Sequence, residues 1–193
     1  MSRTSSRRYS QAMRIIAGSW RGRALLTPQD QAIRPTGDRA REALFSILEH
    51  GRPPVRGGRF LDLFCGTGAV GLEAASRGAA EVLLIDQQAA ALALARANLT
   101  RLGAPPHVSL LAADAARLGP ARCAYDLVFL DPPYRSGLAA PALAGLLDGW
   151  LAPEARVVVE LAARDALEVP EGYALEQERR YGAARFVFLR APA

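Results

Sequence analysis

The sequence FLDLFCGTGAVG, residues 60–71, decides the fold of this chain. Its apolar first half predicts a buried strand, and the glycines that follow predict a tight turn into a helix. Gly66 and Gly68 permit the turn and let a ligand approach the backbone, while Gly71 lets the helix pack close to the sheet. The stretch therefore indicates a strand, a ligand-binding turn and a helix in direct succession.

A carboxylate ends the second predicted strand. Residues 82–85 are an apolar run that ends in Asp86, 20 positions after Gly66. A carboxylate at this place can accept hydrogen bonds from both hydroxyls of a ribose. The glycines and Asp86 together predict an adenosine-type cofactor, and taken alone they fit NAD as well.

Predicted strands and helices alternate from Arg59 onward. The strands are predicted at residues 59–63, 81–86, 107–111, 125–130 and 155–160, and the helices at 69–77, 87–102, 113–118 and 138–149. This order predicts an α/β fold with a mainly parallel sheet and helices on both faces. Residues 173–179 and 184–190 predict an antiparallel hairpin that closes the sheet.

A smaller extension precedes this domain. Residues 13–26 predict a hairpin, and residues 40–48 carry the apolar spacing of a helix with Thr36 as its N-cap. The chain is accordingly divided into three parts, which are a flexible basic tail (1–12), a hairpin-and-helix extension (13–58) and the main domain (59–193).

The tetrad Asp131-Pro132-Pro133-Tyr134 follows the apolar run of residues 125–130. Neither proline can donate to a sheet, so the backbone leaves the strand in a fixed, extended shape. The Asp131 carboxylate and the Pro132 carbonyl can accept both hydrogens of an exocyclic amine, and the Tyr134 ring can stack on a base. The tetrad predicts an amine-holding site, although an ordinary strand-ending turn has the same local pattern.

Two further aspartates bear on the choice of cofactor. Asp62 precedes the glycine turn, where an acid suits a cationic amino-acid group better than a pyrophosphate. Nicotinamide chemistry, moreover, has no use for an amine clamp. Asp114, after the third predicted strand, could accept from an adenine amino group, could cap the helix predicted at 113–118, or could do both.

Charge and composition narrow the class of protein. All 24 basic residues are arginine, and residues 1–59 carry 12 of them against 4 acids, whereas residues 60–193 carry 12 against 15. The basic front predicts contact with a polyanion such as RNA, the alternative being a solvated arginine face. The chain has no apolar stretch of about 20 residues and no secretory signal. Its two cysteines lack metal-site spacing, so we expect a cytoplasmic protein without a metal site.

Three segments carry a resemblance to a known family. RIIAGSWRGR (14–23), RPTGDRAREALF (34–45) and FLDPPY (129–134) resemble the RsmD family of bacterial 16S rRNA guanine-N2 methyltransferases, which are class I S-adenosylmethionine-dependent enzymes. The resemblance covers about residues 13–190. It implies a Rossmann-like class I methyltransferase fold with a mainly parallel seven-stranded sheet, a C-terminal antiparallel hairpin and a small N-terminal extension.

The resemblance also implies roles for individual residues. It implies S-adenosylmethionine contacts at Asp62, Gly66, Gly68, Asp86 and Asp114, catalytic roles for Asp131, Pro132 and Tyr134, and RNA contacts at Arg14, Arg21, Arg23, Arg34 and Arg39. The sequence departs from the family at Gly37, where members usually carry threonine, and at Gln88, where an acid is common.

The implied activity is methyl transfer to the N2 amine of a guanine in 16S rRNA, within the small ribosomal subunit or an assembly intermediate, by a monomer. Three alternatives stay open at this point. They are a DNA adenine-N6 methyltransferase, a nicotinamide-dependent reductase, and an RNA-binding module without catalysis. The first is disfavoured because 193 residues leave no room for a separate target-recognition domain.

Overall fold

The chain is described by a computed structural model that covers residues 10–28 and 37–192. Within these residues the strands are β1 (Ser10–Arg14), β2 (Ala24–Thr27), β3 (Arg59–Leu63), β4 (Glu81–Asp86), β5 (Val108–Ala112), β6 (Tyr125–Leu130), β7 (Leu151–Ala162), β8 (Ala174–Tyr181) and β9 (Ala184–Arg190). The helices are α1 (Asp38–Glu49), α2 (Ala69–Ser76), α3 (Ala89–Arg101) and α4 (Ala139–Leu146).

The main sheet has seven strands in the order β5-β4-β3-β6-β7-β9-β8. The strands from β5 to β7 run parallel, and β9 and β8 are antiparallel at one edge. The strands β1 and β2 form a separate antiparallel pair. The prediction of a mainly parallel sheet with a closing hairpin is confirmed, and the open parallel order places the ends of β3, β4 and β6 along one edge.

The prediction of a helix at residues 113–118 is wrong. This segment forms a turn, in which the Asp114 carboxylate accepts from the amide of Ala116 at 2.9 Å and the Asp114 carbonyl accepts from the amide of Arg117 at 3.0 Å. Six residues form too few helical hydrogen bonds to offset the unfavourable nucleation of a helix. Gly119 and Pro120, which follow them, prevent the helix from growing longer. Because this helix is absent, Asp114 cannot be its N-cap, and that alternative is also wrong.

The front of the chain differs from the prediction in smaller ways. Strand β1 begins at Ser10, three residues before the predicted hairpin, and residues 1–9 lie outside the described part of the chain. The predicted N-cap Thr36 also lies outside it. Gly37 occupies the N-cap position of α1 and, having no side chain, makes no capping bond there.

Two hydrophobic clusters cover the two faces of the sheet. On one face, Phe60 of β3 and Phe129 of β6 pack with apolar residues of α1, α2, α3 and the N-terminal hairpin. On the other face, Leu61 and Leu130 pack with α4. Alternate residues of a strand face opposite sides, so each central strand contributes to both clusters. The extension thus shares one core with the sheet.

A buried glutamate of α2 holds the N-terminal extension in place. Glu73 is fully buried, and its carboxylate accepts from the amides of Ile16 at 2.8 Å and Ala17 at 2.9 Å. It also accepts from Arg77 Nε at 2.8 Å, and Arg41 Nε of α1 lies 3.9 Å away. One carboxylate therefore connects α2 with the hairpin loop and with α1.

Neutral side chains add to this attachment. Ser76 Oγ donates to the carbonyl of Ala17 at 2.6 Å and accepts from the amide of Trp20 at 3.0 Å. The Asn98 side chain of α3 accepts from the amide of Leu26 at 2.7 Å and donates to the carbonyl of Thr67 at 3.0 Å. The hairpin is thereby tied to α2 through Ser76 and, through Asn98 of α3, to the glycine turn.

None of the helices in residues 10–28 and 37–192 is long and apolar enough to cross a membrane.

The buried carboxylate of Glu73 yields a prediction about stability. Glu73→Gln keeps the shape of the side chain but removes the buried charge that faces the guanidinium groups of Arg41 and Arg77. Their remaining acidic partners are the partly exposed Asp38 and Glu49. We expect the free energy of unfolding to fall by about 3–5 kcal/mol, measured by urea denaturation.

The matched control is Glu81→Gln. The Glu81 carboxylate lies 3.3 Å from Arg59, and both side chains are about half exposed. This exposed pair is expected to contribute at most about 1 kcal/mol. A loss for Glu73→Gln no larger than that of the control would contradict the role of Glu73.

Candidate active site

A cavity of about 490 Å³ opens at the carboxyl ends of β3, β4 and β6. This is the edge of an open α/β sheet at which ligands bind. It is lined by Asp62, Phe64, Cys65, Gly66, Thr67, Ala69, Val70, Asp86, Gln87, Gln88, Ala91, Phe129, Asp131, Pro132, Pro133 and Tyr134. The glycine turn and the proline tetrad therefore line one and the same cavity.

The register of the sheet brings the two motifs together. β3 and β6 are parallel neighbours, with Asp62 beside Phe129 and Leu63 beside Leu130. The amide of Asp131 also donates to the carbonyl of Leu63 at 3.3 Å. Both strands end at the same level, so the segments that follow them face each other across the cavity.

The glycine turn has the backbone that its sequence predicts. Gly66 has φ +54° and Gly68 has φ +75°, in the left-handed region that glycine adopts without strain. A Cβ at Gly66 would meet no protein atom nearer than 3.9 Å, so the turn leaves open space beside its backbone. A Cβ at Gly71 would stand 2.2 Å from Leu84 Cδ2, so α2 lies directly on the sheet.

Asp86 closes the turn from the end of β4. One of its carboxylate oxygens accepts from the amide of Gly66 at 3.0 Å and the other from the amide of Gln88 at 2.8 Å. Each carboxylate oxygen can accept a second hydrogen bond. Asp86 is thus held rigidly at the cavity wall, with acceptor capacity left for a pair of hydroxyls.

Asp62 is a buried carboxyl group at the base of the cavity. It accepts from the amide of Gly71 at 2.8 Å. Burial raises the pKa of Asp62 to about 7, the hydrogen bond from Gly71 opposes this rise, and the charge of Asp86 adds to it. A cation bound at this place would favour the ionised form. Burial likewise raises the pKa of the Cys65 thiol, which therefore stays protonated.

The tetrad leaves the sheet as its prolines require. Pro132 is buried, whereas the Tyr134 ring is 40% exposed at the cavity. The backbone then turns at Arg135, which has φ +57° and whose amide donates to the Asp165 carboxylate at 3.2 Å. Burial, together with the charges of Glu160 and Asp62, raises the pKa of Asp131 well above its ordinary value.

The remaining predicted site residues lie elsewhere. Asp114 lies in the turn after β5 and does not line the cavity, so its contact with an adenine stays a prediction. Gly68 belongs to the glycine turn but does not line the cavity, and its contact with a cofactor also stays a prediction. Of the predicted RNA-binding arginines, Arg14, Arg21, Arg23 and Arg39 are exposed on the extension. Arg34 lies outside the described residues.

Sequence reasoning missed two buried acids. Glu73 sits inside α2, where charge alone did not distinguish it from an exposed helix residue. Glu160 ends the apolar run Val157-Val158-Val159 of β7 and is 3% exposed. An acid directly after a run of buried apolar residues was the available signal for Glu160, since Asp131 follows such a run in β6. Gln88, to which no contact was assigned, lines the cavity.

Comparison with known proteins gives the family. The family described as Conserved hypothetical protein 95 matches residues 13–190. Ribosomal RNA small subunit methyltransferase D of Escherichia coli is 38% identical over 176 residues, covering 90% of this chain and 87% of that protein. The chain belongs to the RsmD family.

Further relatives agree with this assignment. Ribosomal RNA small subunit methyltransferase D of Haemophilus influenzae is 34% identical over 179 residues, covering 90% of this chain and 91% of that protein. The solved structure of yhhF from Escherichia coli, described as a methyltransferase, superposes with a TM-score of 0.81 and 35% identity, covering 94% of this chain and 98% of that one. The seven-stranded sheet of this RsmD-family chain is accordingly a class I methyltransferase fold.

The raised pKa of Asp62 yields a prediction about pH. In the folded chain the pKa of Asp62 is about 7, above its ordinary value of 3.8, so between these values the folded chain holds a proton that the unfolded chain has released. The contribution of Asp62 to stability therefore falls as pH rises from about 4 to 7. Relative to the parent, Asp62→Asn should gain stability at pH 8, on the order of 1–4 kcal/mol, and show no such gain at pH 4.

Urea denaturation at a series of pH values measures this difference. The Asp148→Asn variant is the control for the loss of one carboxylate, because Asp148 is exposed and lies away from the cavity. Parallel curves for the parent and Asp62→Asn would count against a raised pKa at Asp62.

Proposed function

We propose that this chain transfers a methyl group from S-adenosylmethionine to the exocyclic N2 amine of a guanine in 16S rRNA. The observation that carries the proposal is the shared cavity, in which the glycine turn with Asp86 stands opposite Asp131, Pro132 and Tyr134. Membership of the RsmD family supports an rRNA substrate.

The cavity fits the cofactor on its own chemistry. Its volume of about 490 Å³ is in the range of small-molecule sites. Asp86 has lone pairs left for two ribose hydroxyls, the open backbone at Gly66 admits close approach, and Asp62 can oppose a cationic amino group. When bound, S-adenosylmethionine supplies a methyl group activated by its sulfonium. Asp62, Gly66, Gly68 and Asp86 would hold it.

The tetrad acts on the amine that receives the methyl group. The lone pair of an exocyclic amine is delocalised into its base, which makes the nitrogen a poor nucleophile. The Asp131 carboxylate and the Pro132 carbonyl accept the two amine hydrogens and so favour the pyramidal form, in which the lone pair points away from the base. Tyr134 stacks on the looped-out base. Holding the amine in line for displacement contributes up to about 7–11 kcal/mol of the rate acceleration.

The extension supplies the RNA-binding surface of the proposal. Arg14, Arg21, Arg23 and Arg39 are exposed on it, and arginine pairs with phosphate through two parallel hydrogen bonds. The Glu73 contacts fix the hairpin to α2, which begins at the glycine turn. The same proposal includes action on the small subunit or an assembly intermediate, as a monomer in the cytoplasm.

A methyl-transfer assay tests the proposal. The chain is incubated with labelled S-adenosylmethionine and, separately, with unmethylated small ribosomal subunits, naked 16S rRNA and unmethylated duplex DNA, and the labelled nucleoside is identified after digestion. N2-methylguanosine from RNA is the expected product. Label in DNA adenine would contradict the proposal and favour an adenine-N6 enzyme.

Substitution of Asp131 tests the clamp within that assay. Asp131→Ala removes one acceptor of the amine hydrogens, so we expect turnover to fall at least about 10²-fold. Binding of S-adenosylhomocysteine, measured by calorimetry, should change little. The exposed Asp148→Ala is the matched control. Equal loss of turnover and binding would show that Asp131 is structural.

The salt dependence of RNA binding tests the arginine surface. Each phosphate contact contributes about 0.7–0.9 to the slope of log affinity against log salt concentration. Joint substitution of Arg21 and Arg23 by alanine should lower the slope by about 1–2. Substitution of the exposed Arg101, at the end of α3, should leave it unchanged. Equal slopes for the parent and the double variant would contradict the surface.

A further inference from the structure

The edge of the sheet that carries the cavity continues past the tetrad to the C-terminal hairpin. β6 and β7 run parallel, so both end at this edge. β9 begins there, because Ala184 is the register partner of Ala162 at the end of β7. The turn from β8 to β9 therefore lies at the same edge as the tetrad, with the loop after β7 between them.

Hydrogen bonds join these three segments. The amide of Arg135, directly after the tetrad, donates to the Asp165 carboxylate at 3.2 Å. The carbonyl of Asp165 accepts from the Arg185 guanidinium at 2.5 Å, and the amide of Ala163 donates to the carbonyl of Ala183 at 2.9 Å. The segment after the tetrad is thus held to the hairpin turn through the loop after β7.

This part of the edge is strongly basic. Five arginines and one acid lie in the segments that follow β6, follow β7 and form the hairpin turn, which are residues 132–138, 162–165 and 179–185. One arginine and two acids lie in the segments after β3, β4 and β5, which are residues 64–68, 86–88 and 113–118. Charge therefore divides along the edge, and a polyanion is attracted to the half beyond the tetrad.

Four of the five arginines expose their side chains. Arg185 is the exception, because its side chain is 13% exposed and lies 3.2 Å from the Glu178 carboxylate. The other four are exposed, and within residues 10–28 and 37–192 none of them forms an ion pair. Arginine binds phosphate through two parallel hydrogen bonds, so each can hold one phosphate. The hairpin-edge arginines are Arg135, Arg164, Arg179 and Arg180.

These arginines lie at a fixed, short distance from the tetrad. Phe186 of β9 pairs in register with Glu160 of β7 and with Arg179 of β8, and the register of β6 with β7 continues this row to Asp131. Three strand spacings, about 14 Å, therefore separate the backbones of Arg179 and Asp131. The ring of Phe186 also contacts that of Phe129 in β6, with centroids 6.3 Å apart, which fixes the hairpin beside the tetrad strand.

The arginines at the tip of the N-terminal hairpin lie at the opposite edge of the sheet. Trp20, beside Arg21, stacks on His107, which directly precedes β5, with ring centroids 6.3 Å apart. The amide of Trp20 also donates to Ser76 at the end of α2, about 12 Å along the helix from the cavity. Phosphates next to a base in the cavity therefore need partners nearer than Arg21 and Arg23.

We propose that the hairpin-edge arginines bind the phosphates of the RNA strand that flank the target guanine. The strand runs from the tetrad across the ends of β7 and β9, while the extension binds a more distant part of the same RNA. Looping a base out of its stack costs free energy, and contacts with the flanking phosphates offset this cost. The inference rests on the proposed function, since it names the path of the substrate at that site.

The salt dependence of binding to naked 16S rRNA tests the surface. Arg135→Gln with Arg164→Gln, and separately Arg179→Gln with Arg180→Gln, remove two exposed charges each at nearly constant side-chain length. Each pair should lower the slope of log affinity against log salt concentration by about 1–2. Binding of S-adenosylhomocysteine, measured by calorimetry, should stay at the value of the parent, which shows that the variants are folded.

The matched control is Arg117→Gln with Arg122→Gln. Both arginines are exposed, and they lie in the connection from β5 to β6, outside the three basic segments. This pair removes the same number of charges from another part of the surface. Its slope should equal that of the parent.

Directed cleavage of the RNA locates the contact. Arg164→Cys, in a Cys123→Ser background, carries an iron chelate that releases hydroxyl radicals, and Arg122→Cys in the same background is the control. Cys65 is buried, and its raised pKa keeps the thiol protonated, so it does not take the label. We expect cuts next to the methylated guanine from position 164 and none there from position 122.

The outcomes separate this inference from the function on which it rests. In a parent that methylates RNA, equal slopes for the parent and both pairs, or cuts only at sites remote from the methylated guanine, would overturn the hairpin-edge surface alone. An acidic protein as the true partner would give those equal slopes. Absence of methyl transfer to any RNA, with lower slopes for both pairs, would overturn the proposed function and leave the hairpin edge as an RNA-binding surface.

Discussion

The close contact between α2 and the sheet is the constraint on which the rest of the structure depends. A side chain at Gly71 would overlap Leu84, so only glycine lets the helix lie this near to β4. The same closeness lets the amide of Gly71 donate to Asp62. The helix then begins at the cavity, directly after the glycine turn, and it carries the buried Glu73.

From that helix the extension is positioned by polar contacts rather than by apolar packing alone. Glu73 accepts from two amides of the hairpin loop, and Asn98 joins β2 to the glycine turn through Leu26 and Thr67. Buried polar groups of this kind are costly unless satisfied, and their directional bonds fix one arrangement. The surface that we propose to meet RNA is thus held at a set distance from the site that would hold the cofactor.

The acids at the cavity lower the stability of the fold but provide the groups that the proposed reaction needs. Burial and the charge of Asp86 raise the pKa of Asp62, and burial with the charges of Glu160 and Asp62 raises the pKa of Asp131. Both acids therefore weaken the fold as pH rises through the range in which they ionise. An apolar row in their place would pack at lower cost, but it could neither oppose a cation nor accept the hydrogens of an amine. Such local destabilisation is common where a site needs charges in a dry environment.

The sequence by itself determined the elements whose signals are local. These are the glycine turn, which depends on backbone freedom, Asp86 at the end of β4, and the two prolines after β6, which lack N–H donors. Each was found where it was predicted. The helix predicted at 113–118 is absent, because an Asx turn at Asp114 and the Gly119-Pro120 break outweighed a short run of helix formers. Tertiary structure alone decided which strands are neighbours. Strand order is set by packing between residues far apart in the chain. Only the fold could therefore show that the charge of Glu160 acts on Asp131 and that Glu73 anchors the hairpin.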